Sequence, residues 1–127
     1  MENTGHIASD GIDSGTWEGL AYLESVSGPG AVAELVGAFI RDAGPRLLGI
    51  QRAIARGDTQ GVVHLAHDLK ANAGTIGANR LTAVAMRLEG SAPGLSPAEL
   101  ESLLRDAERE VEHAILAIQA RLQAFGS

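Results

Sequence analysis

The chain has 127 residues and a formal net charge of −6, enough length for one domain with a real core. The acidity argues against a nucleic-acid binder, which needs a basic face to displace counterions. The absence of cysteine excludes disulfides, thiolate metal sites and cysteine nucleophiles, and no stretch approaches ~18 uninterrupted apolar residues.

The composition is 45% hydrophobic but only 3% aromatic, so the core must be aliphatic, which suits helix-on-helix packing. The first residues, Met1-Glu2-Asn3-Thr4-Gly5-His6, lack a basic segment followed by an apolar run and do not form a secretory signal. The expected location is the cytoplasm.

Residues 1–13 are rich in Gly, Ser and Asp and read as a flexible leader, with His6 a solvated residue of no function. A short helix follows from Ser14, with Trp17, Leu20, Tyr22 and Leu23 on its apolar side. Ser27-Gly28-Pro29-Gly30 ends it. Val32, Leu35, Val36, Phe39, Ile40, Ala43, Leu47, Ile50 and Ile54 recur at helical spacing. They predict one long helix from about Ala31 to Arg56, bent at Pro45, where a backbone hydrogen bond is lost. Gly57 suits the left-handed position after a helix and Asp58 the cap of the next.

The third predicted helix runs from Thr59 to about Ile76, and Gly77-Ala78-Asn79 forms a tight connection. Leu81, Val84, Ala85 and Leu88 mark a helix ending near Gly90. Ser96-Pro97-Ala98-Glu99 combines a capping box with proline at the first helical position. A sustained seam from Leu100 to Leu122 carries the last helix to about Ala124. Short connections make successive helices antiparallel neighbours. The predicted fold is all-α, an antiparallel up-and-down four-helix bundle over residues 14–125 with a short extra N-terminal helix.

The chemistry concentrates on the third helix. At about 100° per residue, Val62, Leu65, Ala66, Leu69, Ala73 and Ile76 form a core stripe. His67 falls opposite it, with His64, Lys70, Ala71, Gly74 and, a turn further, Ala78 on its face. An exposed histidine among small residues, one turn from a lysine, suits a nucleophile that another macromolecule must reach. A surface histidine without a role is the bland alternative. Gly74 and Gly77 weigh against it, since glycine costs about 1 kcal/mol relative to alanine in a helix.

No Gly-rich phosphate loop followed by Lys-Ser/Thr occurs, and no serine sits in a nucleophile elbow. His64 and His67 lack the inward Glu of di-metal bundles, so no metal site is expected. His113, off the apolar seam of the last helix, reads as solvated.

Ala66-His67-Asp68-Leu69-Lys70, with Gly77 ten residues beyond His67 and then Leu81, resembles the signature of the histidine-containing phosphotransfer (HPt) domain. That pattern is A-H-x-L-K-G, a run of small residues, then L-G. The segment from Phe39 to Leu48 is similar to the family's preceding helix, and Ala53 to Asp58 resembles its connection. The similarity spans roughly Thr16 to Leu122. Ala71 stands where the family usually has glycine, and Asn72-Ala73 where it has a serine-rich pair. All three are small, and the Asn72 amide offers a donor toward a bound phosphoryl group.

The resemblance implies that His67 accepts a phosphoryl group from a receiver-domain aspartate and passes it to another receiver. Lys70, otherwise an ordinary solvated lysine, would attract the phosphoryl oxygens. Val63, His64, Ala71, Gly74, Gly77 and Ala78 would form the docking surface. The implied partners are response-regulator receivers and a hybrid sensor histidine kinase, of which this chain is a free partner or an end piece. Magnesium and the acidic pocket would belong to the receiver. No cofactor of its own, no nucleic acid, no membrane insertion and no autonomous catalysis are expected, and a monomer is. The alternatives are a non-catalytic helical adaptor that binds receiver or kinase domains, and the phosphorylatable domain of a chemotaxis-type kinase.

Overall fold

A computed structural model describes residues 9–125; His6 lies outside the described residues. Five helices follow in order: α1 Ser14–Ser27, α2 Ala31–Arg56, α3 Thr59–Ile76, α4 Asn79–Ser91 and α5 Pro97–Phe125, with one turn of 3-10 helix at Ala92–Gly94 before α5. Helices α2 to α5 close a ring in which α3 packs on α2 and α4, and α5 packs on the same two; α1 lies against α2 and α3. No helix among the described residues is long and apolar enough to cross a membrane.

The helix ends are set by local chemistry. The Asp58 carboxylate accepts the Gly61 N–H at 2.9 Å and opens α3. Ser96 and Glu99 cap each other's backbone at 3.2 and 2.9 Å and open α5. Gly30 brings no side chain to the start of α2, so the Glu24 carboxylate reaches over from α1 and accepts from Gly30 and Val32 N–H at 3.1 and 3.0 Å. Those two donors, Val32 first, hold the Glu24 carboxyl below its ordinary pKa. Helix α2 continues through Pro45, which is exposed.

The core is aliphatic apart from Phe39, and no polar or charged side chain among the described residues is buried. Val36, Ile50, Leu69, Ile76, Leu81, Leu88 and Ile118 fill it from all four bundle helices. At Gly49 an added Cβ would lie 2.9 Å from Leu65 Cδ1, so glycine there lets α2 and α3 approach closely. Leu65 is correspondingly only half-buried at the edge of its stripe.

The end of the predicted leader departs from the sequence expectation. Ile12 is 1% exposed and pairs with Ala78 in an isolated antiparallel bridge. Asp13 N–H donates to Gly77 O at 2.8 Å, and Asn79 N–H donates to Gly11 O at 3.1 Å. The Asp10 carboxylate accepts from Arg121 Nε and Nη2 at 2.7 and 3.0 Å. Residues 10–13 are therefore a strap across the α3–α4 turn and α5, not part of a loose leader.

Candidate functional site

Burial of Val62, Ala66, Leu69, Ala73 and Ile76, each with no exposure, fixes the rotation of α3. The opposite face then carries His64, His67, Ala71 and Gly74 to the surface. The His67 side chain is 57% exposed. A Cβ added at Gly74 would meet nothing within 4 Å, so the surface one to two turns beyond His67 is low and open. His113 is exposed on α5.

The neighbouring helix completes the site with a residue that no motif marks. Glu89 on α4 lies eleven residues past Ala78, and His67 lies eleven before it, so the two sit at one height on an antiparallel pair. Glu89 Oε2 is 2.7 Å from His67 Nδ1, and Glu89 Oε1 is 2.8 Å from Lys70 Nζ. Helical side chains lean toward their own N-terminus, so Lys70 leans back toward His67 while Glu89 leans toward the turn, and they meet. That antiparallel symmetry is the one signal by which Glu89 could be found in advance.

The electrostatics follow from this geometry. Hydrogen bonds from Lys70 and then from His67 hold the Glu89 carboxyl below its ordinary pKa. An ionised carboxylate only accepts, so His67 Nδ1 must carry the proton. In the neutral ring Nε2 then has a free lone pair, and it is the nitrogen not engaged by Glu89. Lys70 is partly sheltered, with its side chain 31% exposed, yet it stands one turn from His67 at the edge of the same face. The site thus holds an exposed imidazole whose Nε2 is not engaged by Glu89, a nearby ammonium and a carboxylate touching both.

The expected docking residues divide. His64, Ala71 and Gly74 are exposed beside His67. Val63 is half-buried and packs against the core. Gly77 and Ala78 are buried and do not belong to an open surface. Helix α3 ends at Ile76, so its phase does not carry on to Ala78, and the strap covers the turn. Gly77 has φ 74°, and a Cβ there would lie 2.8 Å from Thr16 Cβ; its glycine serves the turn rather than a partner. Asn72 lines a groove with Leu35 and Asp42 on the α2 side of α3. Among the described residues no group of three or more His, Asp or Glu side chains is arranged to hold a metal ion.

Comparison with known proteins bears on the family and the fold. The sequence profile of the Hpt domain matches residues 34–126, which takes in α3, α4 and both flanking bundle helices. The crystal structure of histidine-containing phosphotransfer protein B (HptB) from Pseudomonas aeruginosa PAO1 is similar, with a TM-score of 0.74 at 25% identity. The match covers 92% of this chain and 98% of that one. No curated protein sequence matches the chain. With an Hpt profile over most of its length and an all-α bundle presenting an exposed histidine, the chain belongs to the Hpt domain family, whose members pass phosphate to response-regulator receivers.

Proposed function

We propose that His67 Nε2 is the phosphoryl acceptor of this histidine phosphotransfer domain. The observation that carries the reading is the 2.7 Å contact between His67 Nδ1 and Glu89 on an exposed side chain, which puts the proton of the neutral ring on Nδ1 and leaves Nε2 as the nitrogen with the lone pair. In the forward step the Nε2 lone pair attacks the phosphorus of a receiver's aspartyl phosphate. The N–P bond forms while the P–O bond to the aspartate breaks, and its electron pair stays on the departing carboxylate. No proton has to leave Nε2, and the positive charge that develops on the ring is shared with Nδ1–H against Glu89. Transfer to a second receiver reverses these steps.

Lys70 stabilises the phosphoryl oxygens as a compact cation one turn from the acceptor. His64, Ala71 and Gly74 form the surface on which the receiver sits, and the receiver brings the magnesium ion. A hybrid sensor histidine kinase is the upstream source, and the chain works as a monomer. A passive adaptor has no need of a carboxylate ordering both a histidine and a lysine.

The test is incubation with a phosphorylated receiver, followed by assay for acid-labile, base-stable phosphate on the chain. Wild type is expected to take up phosphate and His67→Gln none. Equal uptake by the two would overturn the assignment.

A further inference from the structure

The one sulfur atom among the described residues lies on the outer side of α4. The chain has no cysteine and two methionines; Met1 is outside the described residues, so that sulfur belongs to Met86. Methionine is a flexible gap-filler of cores and is otherwise over-used at binding surfaces. Met86 is 55% exposed, so it fills no gap. Its neighbours on the outward side of α4 are Ala83 and Gly90, both exposed and too small to shield it. Met86 lies eight residues past Ala78 and Lys70 eight before it, so the two sit at one height across the antiparallel α3–α4 pair. Lys70 is three residues of helix beyond His67 and packed helices run about 9 Å apart, which places Met86 about 10 Å from His67. Even a small transient interface buries about 600 Å² per partner, a disc of about 14 Å radius. A receiver centred on the exposed imidazole therefore covers Met86.

We propose that Met86 is an oxidation-sensitive contact for the receiver: as a thioether it packs against the partner, and as a sulfoxide it holds the partner off. This rests on the reading of His67 as acceptor, which brings the receiver to this face. The oxidant is a hydroperoxide such as hydrogen peroxide. A sulfur lone pair attacks one peroxide oxygen, and the S–O bond forms as the O–O bond breaks. The released hydroxide takes the proton from the new S–OH group and leaves as water. Sulfur gives up two electrons and the peroxide gains them. No cysteine in the chain competes for the oxidant. The product is a polar, chiral side chain, and burying its oxygen is costly wherever the partner offers no hydrogen-bond donor. Methionine sulfoxide is reducible by dedicated reductases, so the contact acts as a reversible brake on phosphotransfer.

Two substitutions separate shape from polarity. Met86→Leu keeps an apolar side chain that peroxide does not oxidise. Met86→Gln puts a polar amide of similar length in its place. Met86 projects from the surface, so neither change empties the core, and circular dichroism checks the helix content. Wild type and Met86→Leu are each treated with hydrogen peroxide, which is removed before the receiver is added. Peptide mass spectrometry assigns the added oxygen to Met1 or Met86, and treated Met86→Leu carries any effect of Met1.

Single-turnover uptake is then followed against the concentration of the phosphorylated receiver domain that charges wild type. Treated wild type and Met86→Gln are expected to need at least about fivefold more receiver for half-maximal rate. Their limiting rate at saturating receiver should match that of untreated wild type, because a docking contact is made equally in the ground and transition states. Met86→Leu, treated or untreated, is expected to behave as untreated wild type. Peroxide that leaves Met86 unmodified, or an unchanged half-saturation in treated wild type or in Met86→Gln, would overturn the proposal alone. So would a treated Met86→Leu chain as impaired as treated wild type. An untreated wild-type chain that takes up no phosphate would overturn the acceptor reading and the proposal with it.

Discussion

Lysine and arginine carry the same charge but would treat Glu89 differently. The chain has nine arginines and a single lysine, and that lysine is Lys70. An ammonium takes one carboxylate oxygen and leaves the other to His67, as the 2.8 and 2.7 Å contacts have it. A guanidinium presents a planar fork that matches both oxygens at once. We therefore expect Lys70→Arg to pull Glu89 from the imidazole and to slow phosphoryl uptake at least about tenfold, roughly 1.4 kcal/mol in the barrier. Measured uptake should be no better than for Lys70→Met; a wild-type rate would mean that charge alone suffices. At this scale the helix face marked His67 as exposed with Lys70 three residues on, and the resemblance to the family motif supplied the role expected of each. Glu89 was not legible, because its partnership crosses between helices and leaves no local pattern.

Among the elements, the end of α3 carries two glycines of opposite meaning, Gly74 in its last turn and Gly77 as its C-cap. Gly77 lies in the left-handed region with φ 74° and abuts Thr16. Gly77→Ala should cost about 2 kcal/mol, combining left-handed strain with the clash, read as a lower urea midpoint. Gly74 lies in the last turn of α3 and faces open space, so nothing inside the protein demands it. Gly74→Ala should raise stability by up to ~1 kcal/mol with little effect on transfer, since a methyl group is small. Gly74→Leu should keep the helix content and slow transfer, and an unchanged rate there would remove the case for receiver access. The helix bounds were readable in advance because their signals are local: Gly57, Asp58 and the Ser96–Glu99 box each act within a few residues. The burial of Gly77 and Ala78 was not, because residues more than sixty positions earlier cause it.

For the whole molecule, the strap ties the start of α1 to the last turns of α5. Arg121 binds Asp10 at 2.7 Å and lies 5.3 Å above the ring of Trp17, which stacks on Phe125 at 5.1 Å. The strap then runs on to the turn that joins the histidine helix to the Glu89 helix, with Asp13 capping α1 by accepting Thr16 N–H at 2.9 Å. Hydrogen bonding to Arg121 holds the Asp10 carboxyl below its ordinary value of 3.8, and the Thr16 backbone N–H does the same for Asp13. A carboxyl whose pKa is depressed by folding contributes stability that is full above the unfolded value. That contribution is lost as pH falls through the folded one. The advantage of wild type over Asp10→Asn should therefore be constant from neutral pH down to about pH 4 and shrink below it. Trp17, the one tryptophan, reports this directly, since its fluorescence senses the Arg121 and Phe125 contacts. Urea midpoints followed by that signal should converge for the two chains on acidification. A gap that persists unchanged below the aspartate range would mean that Asp10 steadies the strap through its shape and backbone contact with Ile12 rather than through its charge.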